Sequence, residues 1–99
     1  MSESLLEDIQ KAFNDSVEYV KTAPPQKEAS QSLKLKMYAL YKQATQGDVC
    51  GPKPGLMDIA GKAKYKAWSR LKGVSKEEAM QQYVDMVARA SSGEYLSSE

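Results

Sequence analysis

Tyr38, Tyr41 and Lys42 lie within one helical turn of each other in YALYKQATQGD (38–48). The chemistry these residue types offer is non-covalent. A phenol ring presents a π face to a planar ligand, and an ammonium at its edge presents a point charge to an anion. GKAKYKAW (61–68) repeats the association, with Lys64 one turn before Trp68. Two readings of both stretches stay open. In one, the rings are the edge of a core and the lysines reach water along their apolar stems. In the other, rings and ammonium groups form a shelf for a ligand that is part anion, part aromatic ring and part apolar chain.

Catalytic chemistry finds little support. Histidine is absent, which removes the commonest general base and metal ligand. The single cysteine, Cys50, sits in a Gly/Pro-rich stretch with no histidine to activate it. Asp15, Glu18, Glu77 and Glu78 read as exposed faces or helix caps rather than a paired acid and base. No phosphate-loop glycine pattern and no zinc spacing occurs, so neither cofactor nor metal is expected.

The net charge of +1 gives no global field for nucleic acid, so an anion site has to be local. One thiol cannot close an internal disulfide, which points to a reducing compartment, the cytoplasm. No apolar run is long enough to span a bilayer, and stable membrane insertion is not expected.

These residues need elements to position them, and the apolar spacing predicts four helices and no strand. The first runs from about Ser4 to Lys21, with Leu6, Ile9, Phe13, Val17 and Val20 on one face and a Ser4–Glu7 capping box. Pro24 and Pro25 end it. The second starts near Ser30 or Ser32 and ends at Gln46 before Gly47, with Leu33, Met37, Leu40 and Ala44 as its stripe.

A turn-rich loop carries the chain to Asp58, where a third helix runs to Lys72 and stops at Gly73. Its apolar side is Ala60, Ala63, Ala67, Trp68 and Leu71, with Lys64 in the same sector. The fourth opens on the capping box Ser75–Glu78 and carries Ala79, Tyr83, Met86, Val87 and Ala90 on one face. Four amphipathic helices in 99 residues bury their stripes only against one another, so the expected architecture is a single all-α bundle over 1–99. Its ends, about 1–4 and 91–99, are expected to fray.

The same stretches carry a resemblance. KLKMYALYKQATQGD, followed by PKPGLMDIAGKAKYKAWSRLKGVSKEEAMQQYVDMV, resembles the acyl-CoA-binding protein family from about Leu33 to Val87, with its blocks in the family's order and spacing. The resemblance implies a four-helix bundle of skewed up-down-down-up topology that binds one long-chain fatty acyl-CoA without chemistry on it. It also implies a set of ligand residues: Tyr38, Tyr41 and Lys42 on helix two, Lys64 for the 3′-phosphate, Tyr83 on helix four, and Lys21 near the phosphates. The chain departs from the family pattern at Ala60, where many members have lysine, and at Tyr65, which replaces a common tryptophan.

The expectation is therefore a monomeric carrier or buffer of medium- and long-chain acyl-CoA. Met37, Leu40 or Val17 would offer the acyl chain an apolar surface, and contacts with membranes or acyl-CoA-using enzymes would be transient. The alternative is a helical protein-interaction module that uses the same tyrosine and lysine face. An enzyme that handles acyl-CoA comes third.

Overall fold

The computed structural model describes residues 3–22 and 31–91. Four helices make up this part of the chain: α1 (Glu3–Thr22), α2 (Gln31–Gln46), α3 (Ile59–Ser69) and α4 (Lys76–Ser91). The Ser4 side chain, Pro24–Pro25, Ser30 and residues 92–99 lie outside what is described, as does the fraying expected of the ends.

The helices end where local chemistry stops them. Gly47 takes a left-handed φ of 84°, and its N–H donates to the Gln43 carbonyl at 3.0 Å, closing α2. Asp58 caps α3, its carboxylate accepting from the Gly61 N–H at 2.9 Å. A Cβ at position 61 would collide with that carboxylate, which is why glycine stands there. Ser75 Oγ accepts from the Glu78 N–H at 3.0 Å, the first half of the expected box. Glu78 does not return the bond; its carboxylate accepts from Gln82 one turn on.

α3 is shorter than its periodicity predicts. Regular helix stops at Ser69, and residues 70–74 follow in tighter turns, with the Leu71, Lys72 and Val74 N–H groups donating three residues back. The last tight turn lets Gly73 adopt a φ of 93° and leads straight into the Ser75 cap.

α2 is the central helix. It packs against α4 on one side and α3 on the other, and α1 packs against α4. The core lies mostly between α2, α4 and α1: Leu33, Leu40 and Ala44 meet Ala79, Met80, Tyr83, Met86 and Val87, and Phe13 reaches in from α1. Leu40 is fully buried. Burial of a side chain of this kind contributes about 1.5–3 kcal/mol.

Two readings of the apolar stripes need correction. On α1 only Phe13 is buried; Ile9 and Val17 pack against the core, while Leu6 (47%) and Val20 (43%) remain exposed. The backbone of α1 runs close to α4 and reaches α2 through the Phe13 ring, while both ends of its stripe stay exposed. On α2 burial extends past the stripe to Ala39 and Gln43, because the helix is covered from two sides.

Gln43 shows what that second cover does. Its Nε2 donates to Asp48 Oδ1 and to the Val74 carbonyl, both at 2.8 Å. Two acceptors around one amide nitrogen fix the orientation of the group, since a flipped amide would aim oxygen at oxygen. Asp48 Oδ1 also accepts from the Gly73 N–H at 2.9 Å. One glutamine and one aspartate thus tie the end of α2 to the α3–α4 connection. The Gly73 N–H, followed by the Gln43 amide, holds the Asp48 carboxyl below its usual range.

Candidate functional site

The rings and lysines singled out in the sequence gather in two stations along α2. On the side of α1 and α4, Phe13, Tyr41 and Tyr83 form a ring cluster. Phe13 lies stacked on Tyr41 with centroids 6.1 Å apart and meets Tyr83 edge-on at 5.2 Å. Tyr41 and Tyr83 are tilted at 6.5 Å. Tyr83 is only 5% exposed and forms the floor, whereas Tyr41 opens to solvent. Burial, aided by the neighbouring Tyr41, raises the Tyr83 hydroxyl above its usual range, so the floor stays uncharged.

The second station lies between α2 and α3. Lys64 Nζ sits 5.4 Å from the centre of the Tyr38 ring, and Lys42 Nζ sits 4.9 Å from the centre of the Trp68 ring. The pairs cross over: each helix supplies one lysine and one ring. Trp68 is buried and donates its Nε1–H to the Gly47 carbonyl at 2.8 Å, which fixes the plane on which Lys42 rests. Lys64 is exposed, as expected of a lysine within an apolar sector that carries its charge to the edge. Among the described residues, neither ammonium has a carboxylate partner, unlike Lys11, which pairs with Asp15 on α1. Two cations held against rings are thereby left open to an anion.

Tyr38, Tyr41, Lys42 and Lys64 thus share one edge of α2 and its junction with α3, with Tyr83 beneath Tyr41. Lys21 joins neither station. It is exposed in the last turn of α1, on the face that continues Phe13 and Val17 at four-residue spacing. That places it about 12 Å along the axis from Phe13.

Apolar space lies on the opposite flank of the α2–α3 contact. A cavity of about 530 Å³ is floored by Leu35, Ala39, Ala63, Ala67 and Leu71 and rimmed by Lys36, Lys66 and Arg70. Small residues make it: alanine at 39, 63 and 67 leaves a furrow where larger side chains would close the helices on each other. The surfaces expected to receive an acyl chain differ from this one. Leu40 is completely buried and unavailable, while Met37 and Val17 are half-buried and already packed on the core.

Phe13 and Leu35 are the residues that sequence reasoning missed. Phe13 reads as core on α1 and is core, but it is also the ring that carries α1 to Tyr41. Nothing in its spacing marks that second role. Leu35 stands off the main stripe of α2, a large apolar residue between Lys34 and Lys36. That isolation was the available signal.

Residues 10–87 match the family model described as "Acyl CoA binding protein". The chain is 44% identical over 79 residues to the Acyl-CoA-binding protein homolog of Drosophila melanogaster, covering 80% of this chain and 90% of that protein. It is also 44% identical over 91 residues to the human Enoyl-CoA delta isomerase 2, covering 92% of this chain but 23% of the isomerase. The rat protein of that name gives 43% identity over 91% of this chain and 22% of the relative, so the chain spans under a quarter of the isomerases' length.

Among solved structures, the Oryza sativa Acyl-CoA-Binding Protein 2 superposes with a TM-score of 0.81 at 37% identity, covering 88% of this chain and 92% of the other. The protein from Moniliophthora perniciosa gives 0.75 at 38%, covering 88% and 87%. The four helices therefore have the all-α fold of those proteins, and the chain belongs to the acyl-CoA-binding protein family.

Proposed function

We propose that this chain is one acyl-CoA-binding domain across 1–99 that binds and carries medium- and long-chain fatty acyl-CoA esters without turning them over. The observation that carries the reading is the crossed pair of lysines over rings at the α2–α3 junction, Lys64 on Tyr38 and Lys42 on Trp68. Phosphate oxygens suit two open ammonium groups; each charge-assisted bond contributes about 1.5–3 kcal/mol. Tyr41, exposed and backed by Phe13 and Tyr83, offers a face for the adenine ring, with stacking of about 1–3 kcal/mol by analogy with base–aromatic contacts. Lys21 extends the positive edge from α1 toward the diphosphate.

The tail is assigned to the alanine-floored furrow between α2 and α3, where each buried methylene adds up to about 0.8 kcal/mol. Binding of this kind needs no cofactor and no activated nucleophile, and the chain would work as a monomer in the cytoplasm. The relationship to Enoyl-CoA delta isomerase 2 supports a second setting, in which a domain of this type holds acyl-CoA for an attached catalytic domain.

Calorimetric titration with palmitoyl-CoA, CoA and palmitate tests the reading. Palmitoyl-CoA should bind far more tightly than either fragment, with its thioester intact by mass spectrometry afterwards. Equal affinity for CoA and palmitoyl-CoA would remove the carrier; thioester cleavage would make the protein an enzyme.

A further inference from the structure

Among the described residues, the most exposed large apolar side chains are close together in the chain, away from the ring stations. Leu56 (84%), Met57 (94%) and Ile59 (79%) project from the loop before α3 and from its first turn. The loop holding them is anchored: Tyr65 donates its hydroxyl to the Gly51 carbonyl at 3.1 Å, and the Asp58 N–H donates to the Gly55 carbonyl at 3.1 Å. An anchored loop presenting bare leucine, methionine and isoleucine is a fixed wedge.

Lysines surround it. Ile59, Lys62, Lys66 and Arg70 follow one face of α3 at helical spacing, a face distinct from the one carrying Lys64 and Trp68. Lys53, Leu56, Lys62 and Lys66 line a single shallow depression beside that face. Residues 49–74 hold six basic residues against one acidic, Asp58. That segment is +5 in a chain of net +1, so the rest of the sequence carries −4.

We infer that this wedge and its basic surround dock the protein on an anionic bilayer surface. Leu56, Met57 and Ile59 would enter the headgroup–acyl boundary while Lys53, Lys62 and Lys66 stay with the lipid phosphates. Shallow apolar insertion combined with a polybasic surround is the pairing that gives reversible attachment. A fluid interface accepts a projecting wedge without a matching groove. The charge asymmetry orients the molecule, because the net negative remainder is repelled from the same surface. No helix among the described residues is long and apolar enough to cross a membrane, and docking of this kind requires none. One consequence rests on the acyl-CoA reading: the tail furrow, which shares Ala63 and Lys66 with this face, would be held next to the bilayer.

Flotation of the ligand-free chain with vesicles tests the docking independently of that reading. The parent should float with vesicles of phosphatidylcholine containing phosphatidylserine, remain behind with phosphatidylcholine alone, and be released by salt. Leu56→Ser with Met57→Ser should lower the partition coefficient at least about tenfold, and Lys53→Glu with Lys62→Glu should do the same. All four side chains are exposed, so thermal melts should match the parent. Leu5→Ser with Leu6→Ser, exposed residues beside Glu7 and Asp8, is the control and should float as the parent does.

The loop variant should also bind palmitoyl-CoA in solution with parental affinity. The inference is overturned by a parent that does not float, by a loop variant that floats unchanged, or by equal loss in the control. A loop variant with weakened palmitoyl-CoA binding would overturn it as well, assigning these residues to the tail. A parent that floats but shows no affinity for palmitoyl-CoA would leave docking in place and remove the carrier reading alone.

Discussion

The two sides of α2 are built differently. Toward α4 the helix presents Leu33, Leu40 and Ala44 to a set of large apolar partners, and nothing charged enters. Toward α3 it presents Ala39, Tyr38 and Lys42 to alanines, a tryptophan and a lysine, and the contact is flanked by an apolar furrow and a cationic edge. The α4 side is closed by dense packing of the chain's own side chains. The α3 side has small residues and open charges where a ligand with a tail and phosphates would complete the packing. Under the proposed reading the tail and phosphates fall to the α3 side and only the Tyr41 ring is shared with the α1 and α4 side, so mutations should largely separate stability from binding.

The largest effect is expected on the α4 side. Leu40→Ala should cost about 2–5 kcal/mol of stability, read as a lower midpoint in denaturant melts, while molecules that remain folded keep their affinity for palmitoyl-CoA. A parental midpoint would mean that the α4 side does not hold the fold.

Lys64→Ala on the α3 side should weaken palmitoyl-CoA by about 10–150-fold, the loss of one charge-assisted contact, with little change in melting. Lys42→Ala should weaken binding similarly. It should also cost about 0.5–1 kcal/mol of stability, because its ammonium rests on the buried Trp68 ring. Parental binding in either variant would deny that lysine its role.

A smaller effect is expected at the start of α3. Gly61→Ala should displace the Asp58 carboxylate from its cap and lower stability by about 1 kcal/mol. Full stability would mean that the cap can re-form around a Cβ.

The pH dependence has two arms. Asp48 is more acidic in the folded chain than in the unfolded one, so its contribution is present above the unfolded value near 3.8 and is lost as pH falls through the lowered folded value. Asp48→Ala should therefore flatten the acid limb of the stability profile. Tyr83 is shifted upward, so its contribution is present below the unfolded value near 10.0 and is lost as pH rises toward the raised folded value. An ultraviolet titration should find one tyrosine ionising later than the rest, and Tyr83→Phe should remove that one. An acid limb unchanged by Asp48→Ala, or a late tyrosine that survives Tyr83→Phe, would contradict the corresponding assignment.

Much of this division was legible in the residues. The stripes of α2 and α4 named the core side correctly, since a 3.6-residue period in large apolar residues arises from little besides a helix with one buried face. Ser75 and Gly47 marked helix ends through chemistry confined to a few neighbours, whereas Gly73 lies beyond the end of α3 at Ser69. The α3 side was legible only in part, because its features belong to pairs of helices. That Lys64 rests on Tyr38 and Lys42 on Trp68 depends on the approach of α3 to α2, which periodicity does not set. The furrow is hidden from the sequence by the same dependence: Ala39, Ala63 and Ala67 are unremarkable singly and make a cavity only face to face. The over-reading of Leu6 and Val20 as buried comes from assuming that every stripe finds a partner along its whole length.

The claim that the acyl tail of acyl-CoA is received on the α3 side of α2, with adenine on the tyrosine edge, is tested most directly by nuclear Overhauser contacts between palmitoyl-CoA and the isotope-labelled protein. The adenine protons should report on Tyr41 and Tyr38, and the acyl methylenes on Leu35, Ala63 and Ala67. Acyl contacts confined to α1 and the outer face of α4, with none to those three residues, would contradict it.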